Sequence, residues 1–121
     1  MEYLYLTEDA DGVSYFKDKA FQLSLADFAP PAPAIYLSDP IKAERFVLVT
    51  LPAGWGGAKH PSPRRQIAFC LSGSLEVKAG DGDVRQITSG GIWHMEDVNG
   101  SGHTTHVVGS ENVNLAIVQL D

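Results

Sequence analysis

Four histidines, His60, His94, His103 and His106, carry most of the chemical potential of this chain, and all lie in its second half. Imidazole is the side chain best suited both to proton transfer near neutral pH and to divalent metals. Two carboxylates, Glu96 and Asp97, sit between the second and third histidines. Histidines clustered with carboxylates supply either acid–base pairs or part of a metal ligand set. Other catalytic templates are absent: there is no G-x-S-x-G, no phosphate-binding G-x-x-x-x-G-K-[ST], no G-x-G-x-x-G, no C-x-x-C and no H-E-x-x-H.

Successive side chains of a strand point to opposite faces. An extended run from His60 therefore puts His60, Ser62, Arg64, Gln66, Ala68 and Cys70 on one face and Arg65, Ile67, Phe69 and Leu71 on the other. Downstream, His103, Thr105 and Val107 share a face that excludes His106. This parity converges His60, Gln66 and His103 on one interior. His94 and Glu96 share a parity just upstream of His103, and His60, Glu96 and His103 are the candidate catalytic groups. Ser62, Arg64, Trp55 and Cys70 are the candidates for a surrounding substrate pocket. Arg64 reads either as a bidentate anchor for a carboxylate or phosphate or as a solvated partner of one of the fifteen acids. Trp55, in Gly54-Trp55-Gly56-Gly57, reads as a pocket wall or a loop anchor. Cys70, the single cysteine, lies in an apolar stretch and reads as a buried, inert thiol. His94 after Trp93 is a packed histidine or a base, and Glu96-Asp97 a turn or a catalytic pair.

The elements that must position these groups are strands. Short apolar or alternating runs occupy 3–6, 14–16, 35–37, 46–51, 67–71, 75–78, 84–87, 92–95, 105–108 and 113–119, separated by clusters such as Ser72-Gly73-Ser74 and Gly80-Asp81-Gly82-Asp83. Many short strands at regular intervals predict an all-β sandwich or barrel. Helix is expected only as a turn or two near 25–28 or 40–45. Pro30, Pro31 and Pro33 stiffen the first third, and residues 1–40 read as an extended N-terminal arm lying on the barrel. The same prolines spell P-x-x-P, the ligand pattern of aromatic grooves.

At 121 residues, 44% hydrophobic and 20% charged, the chain is expected to form one globular domain over 1–121. Nine basic and fifteen acidic residues give a net charge of −6, and Arg64-Arg65 is the only basic cluster. That argues against nucleic acid and membranes as partners. The start, Met1-Glu2-Tyr3-Leu4-Tyr5, lacks the basic and apolar regions of a signal peptide, so the expected location is cytoplasmic.

At the histidines the sequence resembles the cupin superfamily, over 54–107. The first cupin motif, G-x5-H-x-H followed by E and G, is met by Gly54, His60 and Gly73, with Ser62 at the second histidine and Gln66 at the glutamate. The second, G-x5-P-x-G-x2-H-x3-N, is followed by Gly90, Gly100 and His103. Glu96 replaces the proline, residues are inserted before Gly100, and Val107 takes the asparagine position. His60-Pro-Ser-Pro-Arg-Arg-Gln66 and Leu71-Ser-Gly73 look like a subgroup of small one-domain cupins.

The resemblance implies a double-stranded β-helix, or jelly-roll barrel. It also implies a divalent metal (Mn, Fe, Ni or Zn) in members whose motifs are complete. Carried over by position, the ligands reduce to His60 and His103, with the Gln66 carbonyl as a neutral third and His94 or Glu96 as substitutes. Such a set is weaker than three imidazoles and a carboxylate, and a metal-free pocket is the other expectation. The function expected is a small-molecule-binding cupin, its catalytic form a metal-assisted isomerase, lyase or dioxygenase acting on a small polar organic substrate in the barrel. The alternative is a non-catalytic ligand-binding or sensing module. Ile67, Phe69 and Leu71 face outward if Gln66 faces in, each worth about 1.5–3 kcal/mol on burial. A homodimer is therefore expected.

Overall fold

The computed structural model describes all 121 residues. Eleven strands form it: β1 (Glu2–Glu8), β2 (Ser14–Ala20), β3 (Ser24–Ala26), β4 (Ile35–Leu37), β5 (Arg45–Leu51), β6 (Gln66–Ser72), β7 (Ser74–Lys78), β8 (Val84–Ile87), β9 (Ile92–Met95), β10 (Thr104–Val108) and β11 (Val113–Gln119). A six-stranded sheet runs β2-β1-β9-β6-β11-β5, and a three-stranded sheet runs β10-β7-β8. All pairings are antiparallel except that of β1 with β9. From β5 onward the chain passes repeatedly between the two sheets, which face each other as a jelly-roll barrel.

Alternation decides what fills the barrel. In β7, Leu75 and Val77 are wholly buried between half-exposed neighbours; in β10, Thr105 and Val107 turn in while His106 turns out. They meet Leu6, Ala68, Cys70, Trp93, Met95, Val113 and Leu115 from the large sheet in one core. Gly73 lets the chain jump from β6 to β7: its φ is +85°, and a Cβ there would lie 2.6 Å from the Asn112 carbonyl oxygen.

Each of the ten expected strands forms, and two expectations fail nearby. The segments 25–28 and 40–45 are not helical; there is no helix in the chain, hence none long and apolar enough to cross a membrane. β3 pairs instead with β4, Leu25 opposite Tyr36, because the turn between them is rich in proline, which cannot feed a helical ladder. The arm is also shorter than 1–40: β1 and β2 are built into the large sheet, and only the stretch after Ala20 lies outside it. The outward parity of β6 holds, with Leu71 exposed, but Ile67, flanked by His94 and Val118, is already buried within the chain.

Candidate functional site

Two backbone devices bring His60 to His103. Residues 55–60 run along the free edge of β10: Val107 N–H donates to the Trp55 carbonyl at 2.8 Å and Gly57 N–H to Thr105 at 3.2 Å. His60 and His103 then exchange both backbone bonds, at 3.1 and 3.0 Å. Residues paired across a ladder share a face, and the two rings lie 5.3 Å apart. The approach is possible because Gly102 precedes His103. A Cβ on Gly102 would sit 2.0 Å from the carbonyl carbon and oxygen of His60, and its φ is +82°.

Each ring is held through the same nitrogen. Nδ1 of His60 donates to the Ala58 carbonyl at 2.7 Å. A carbonyl only accepts, so the proton is on Nδ1 and, in the neutral ring, Nε2 carries a free lone pair. Nδ1 of His103 meets Oδ2 of Asp97 at 2.5 Å, and a carboxylate likewise only accepts. The other oxygen of Asp97 accepts from the Ser62 hydroxyl at 2.7 Å, and its backbone carbonyl from Ser62 N–H at 3.0 Å. Asp97 is fully buried, so these two donors stand in for the water it has lost.

The two imidazoles open on a cavity of about 130 Å³ inside the barrel. Ser62 and Gln66 line it with them, and Trp55, Trp93, Met95, Leu115 and Ile117 supply apolar walls. Gln66 is half engaged, its carbonyl accepting from Gln119 at 3.0 Å and its amide facing the Met95 sulfur. The indole N–H of Trp93 is buried without a partner.

Of the residues singled out in the sequence, the structure thus brings together His60, Ser62, Gln66, His103 and Trp55. Four others fall elsewhere. His94 and Glu96 occupy the outer face of the large sheet, because Trp93 and Met95 take the inner positions of β9. Glu96 accepts there from the Tyr5 hydroxyl at 2.7 Å and Arg65 Nε at 3.2 Å, and lies 3.2 Å from His94 Nε2. Neither can complete a ligand set with His60 and His103, nor serve as a base in the barrel. Arg64 does not line the cavity and forms no ion pair. Cys70 is buried on the core side of β6 but outside the cavity lining, and burial pushes its thiol pKa up. Asp97, which the sequence offers only as half of a turn or catalytic pair with Glu96, is instead the buried partner of His103. The signal was available: it continues the inward alternation of Trp93 and Met95.

A resident divalent metal does not fit this donor set. Two imidazoles face the cavity, the one carboxylate beside them is committed to His103 and Ser62, and the Gln66 oxygen already has a donor. No cluster of three or more His, Cys, Asp or Glu side chains suited to a metal forms anywhere in the chain.

No family model and no curated protein matches the chain. Among solved structures it is similar to protein NMB1881 from Neisseria meningitidis, at 16% identity over 85% of this chain and 87% of that one, with a TM-score of 0.50. It is also similar to the cupin domain of Schizosaccharomyces pombe Cnp3, at 18% identity over 89% and 73%, with a TM-score of 0.49. At such identities the likeness concerns the fold alone, the all-β jelly-roll barrel described above.

Proposed function

We propose, on the premise of a cupin-like jelly-roll barrel, that the chain binds a small organic molecule beside His60 and His103. The observation carrying this reading is the matched pinning of both rings through Nδ1, which turns two Nε2 lone pairs into fixed acceptors. They suit a ligand with a hydroxyl, enol or amine donor on an apolar body. A volume of about 130 Å³ corresponds to roughly four waters, so the cavity takes a small molecule or one end of a larger one.

The contact between Asp97 and His103 favours a second, catalytic reading of the same pocket. A base oriented by a buried carboxylate accepts a proton through Nε2, and the carboxylate then stabilises the imidazolium. The Ser62 hydroxyl donates its hydrogen bond to Asp97 and so serves the dyad rather than acting as a nucleophile. Proton abstraction and return, as in an isomerase or lyase, is the chemistry such a group supports.

The test is an NMR titration of isotope-labelled protein with a panel of small hydroxy and keto compounds. Binders should move the imidazole signals of His60 and His103 and the indole signals of Trp55 and Trp93, and His103→Ala should abolish the response. Binders that leave those four signals in place would overturn the proposal. Exchange of a ligand C–H proton for deuterium, lost in His103→Ala, separates catalysis from binding.

A further inference from the structure

β5 is a strand the lone chain leaves half finished. Its sequence, Arg-Phe-Val-Leu-Val-Thr-Leu, is a near-continuous apolar run, the pattern of a strand covered on both faces. In the structure its first half is exposed on both: Phe46 and Leu48 at 59% and 70% on the outer side, and Val47 at 39% on the inner. It is also an edge strand, with one row of backbone groups unpaired.

A second uncovered surface lies just before it in the chain. β3 and β4 pair only with each other, and Leu25 and Tyr36, opposite one another on one face of that ribbon, are 61% and 69% exposed. An isolated two-stranded hairpin is marginal in water. Nine of the twelve exposed large hydrophobic residues fall between positions 23 and 48. The exposed apolar surface is thus concentrated in one stretch.

The connection explains why the hairpin stands clear. β2 and β5 are the two outer strands of the large sheet, so the stretch between them must cross five inter-strand steps, about 24 Å at ~4.8 Å each. It crosses while leaving its apolar side chains uncovered.

We infer that this stretch is the interface of a two-fold dimer, in which the β3–β4 hairpin of each copy lies against β5 of the other. Three observations single out a second copy as the occupant. The ribbon and the bare strand are both apolar and belong to the same chain, so one contact made twice covers both. The linker 38–44 joins them directly, so a two-fold axis near it satisfies both contacts at once and closes the assembly. Between 21 and 48 the charges are Asp27, Asp39, Glu44, Lys42 and Arg45, a net of −1 against −6 for the whole chain. Two acidic molecules meet there with little repulsion.

The test is sedimentation equilibrium or light scattering of the full chain at micromolar concentration, with hydrogen exchange alongside. Wild type should have twice the 13.0 kDa chain mass, with protected amides in β3, β4 and the first half of β5. Leu48→Glu and Tyr36→Glu should each weaken association by roughly thirty-fold or more, as for a central interface residue. Both should lose that protection and keep the β-sheet circular dichroism, because both side chains are exposed in the single chain. Val84→Glu, exposed and outside the stretch, should stay dimeric. A monomeric wild type, a dimer that survives both variants, or an open series of larger assemblies would each overturn the inference.

Discussion

Asp97 is the group on which the pocket depends, and its removal has a cost that follows from its contacts. It is the only acidic side chain that is fully buried, and it accepts from the Ser62 hydroxyl and from Nδ1–H of His103, both themselves buried. Asp97→Ala leaves two donors without partners in a dry environment. An unsatisfied buried donor costs about 1–3 kcal/mol, so the pair predicts a loss of about 2–6 kcal/mol, in the range found on breaking a buried ionic contact. For a chain of this length roughly 3–5 °C of Tm is lost per kcal/mol, so the midpoint should fall by about 6–30 °C. Asp97→Asn keeps one carbonyl acceptor and should lose about half as much. Urea titrations of Asp97→Ala, Ser62→Ala and the double variant complete a cycle. The coupling energy should reach about 1 kcal/mol, because once Ser62 is gone the aspartate has one donor fewer to satisfy. Nitrogen NMR of the imidazoles gives the second readout: Nε2 of His103 is unprotonated in the neutral wild-type ring and loses that preference in Asp97→Ala. A loss below about 1 kcal/mol, strict additivity, or an unchanged tautomer would refute the argument.

Gly102→Ala should be more damaging than any other glycine substitution, since the new Cβ meets the His60 backbone at 2.0 Å on a left-handed residue. The histidine NMR signals should shift together and stability should drop by more than about 2 kcal/mol, and a silent variant would contradict the backbone pairing of the two histidines. Burial holds His94 below its ordinary value of 6.5, against the pull of Glu96. The unfolded chain therefore takes up that proton first, so this contribution to stability is full above about pH 6.5 and declines as pH falls through the folded value; His94→Gln should flatten urea midpoints in that window. Burial raises the Glu96 pKa, but the Tyr5 hydroxyl, Arg65 and His94 outweigh it and hold the group below 4.5, adding stability that is lost only in stronger acid. On metal-stripped protein, Ser62→His with Gln66→Glu should raise zinc affinity by about tenfold or more over wild type, and His60→Ala in that background should remove the gain; equally tight binding by wild type would refute the neutral donor set.

The barrel was legible because its strands are short, alternating and punctuated by glycine, and local pattern suffices for such elements. The convergence of Gln66 and His103 follows from the alternation within their own segments, but the period of two does not reach His60. The chain bends at 63–65, so Arg64 leaves the cavity while Pro63 lines it, and His60 is placed by its backbone pairing with His103. β3 was not legible: Ser24-Leu25-Ala26 is too short for a period to appear, and its pairing with β4 is fixed by the hairpin rather than by either strand alone. The inclusion of β1 in the large sheet was also hidden. It follows from parallel pairing with β9, almost ninety positions away, which no local pattern encodes. His94 and Glu96 were expected beside His103 because their shared parity was known but not which side it named.

That last error shows what makes the site. In Trp93-His94-Met95-Glu96-Asp97, polar and apolar groups are dealt alternately, and the two large apolar residues decide the side by entering the core. One consequence is that Glu96, with Tyr5 and Arg65 around it, is spent on an outer cluster. The other is that Asp97 goes inward, where its charge is absorbed by Ser62 and His103 instead of facing the cavity. The cavity is left with lone pairs and apolar walls rather than anionic ligands. On the proposed reading such a chamber favours a donor-bearing organic molecule over a bare cation, because a divalent ion would have to give up its water for two imidazole nitrogens and nothing that cancels its charge.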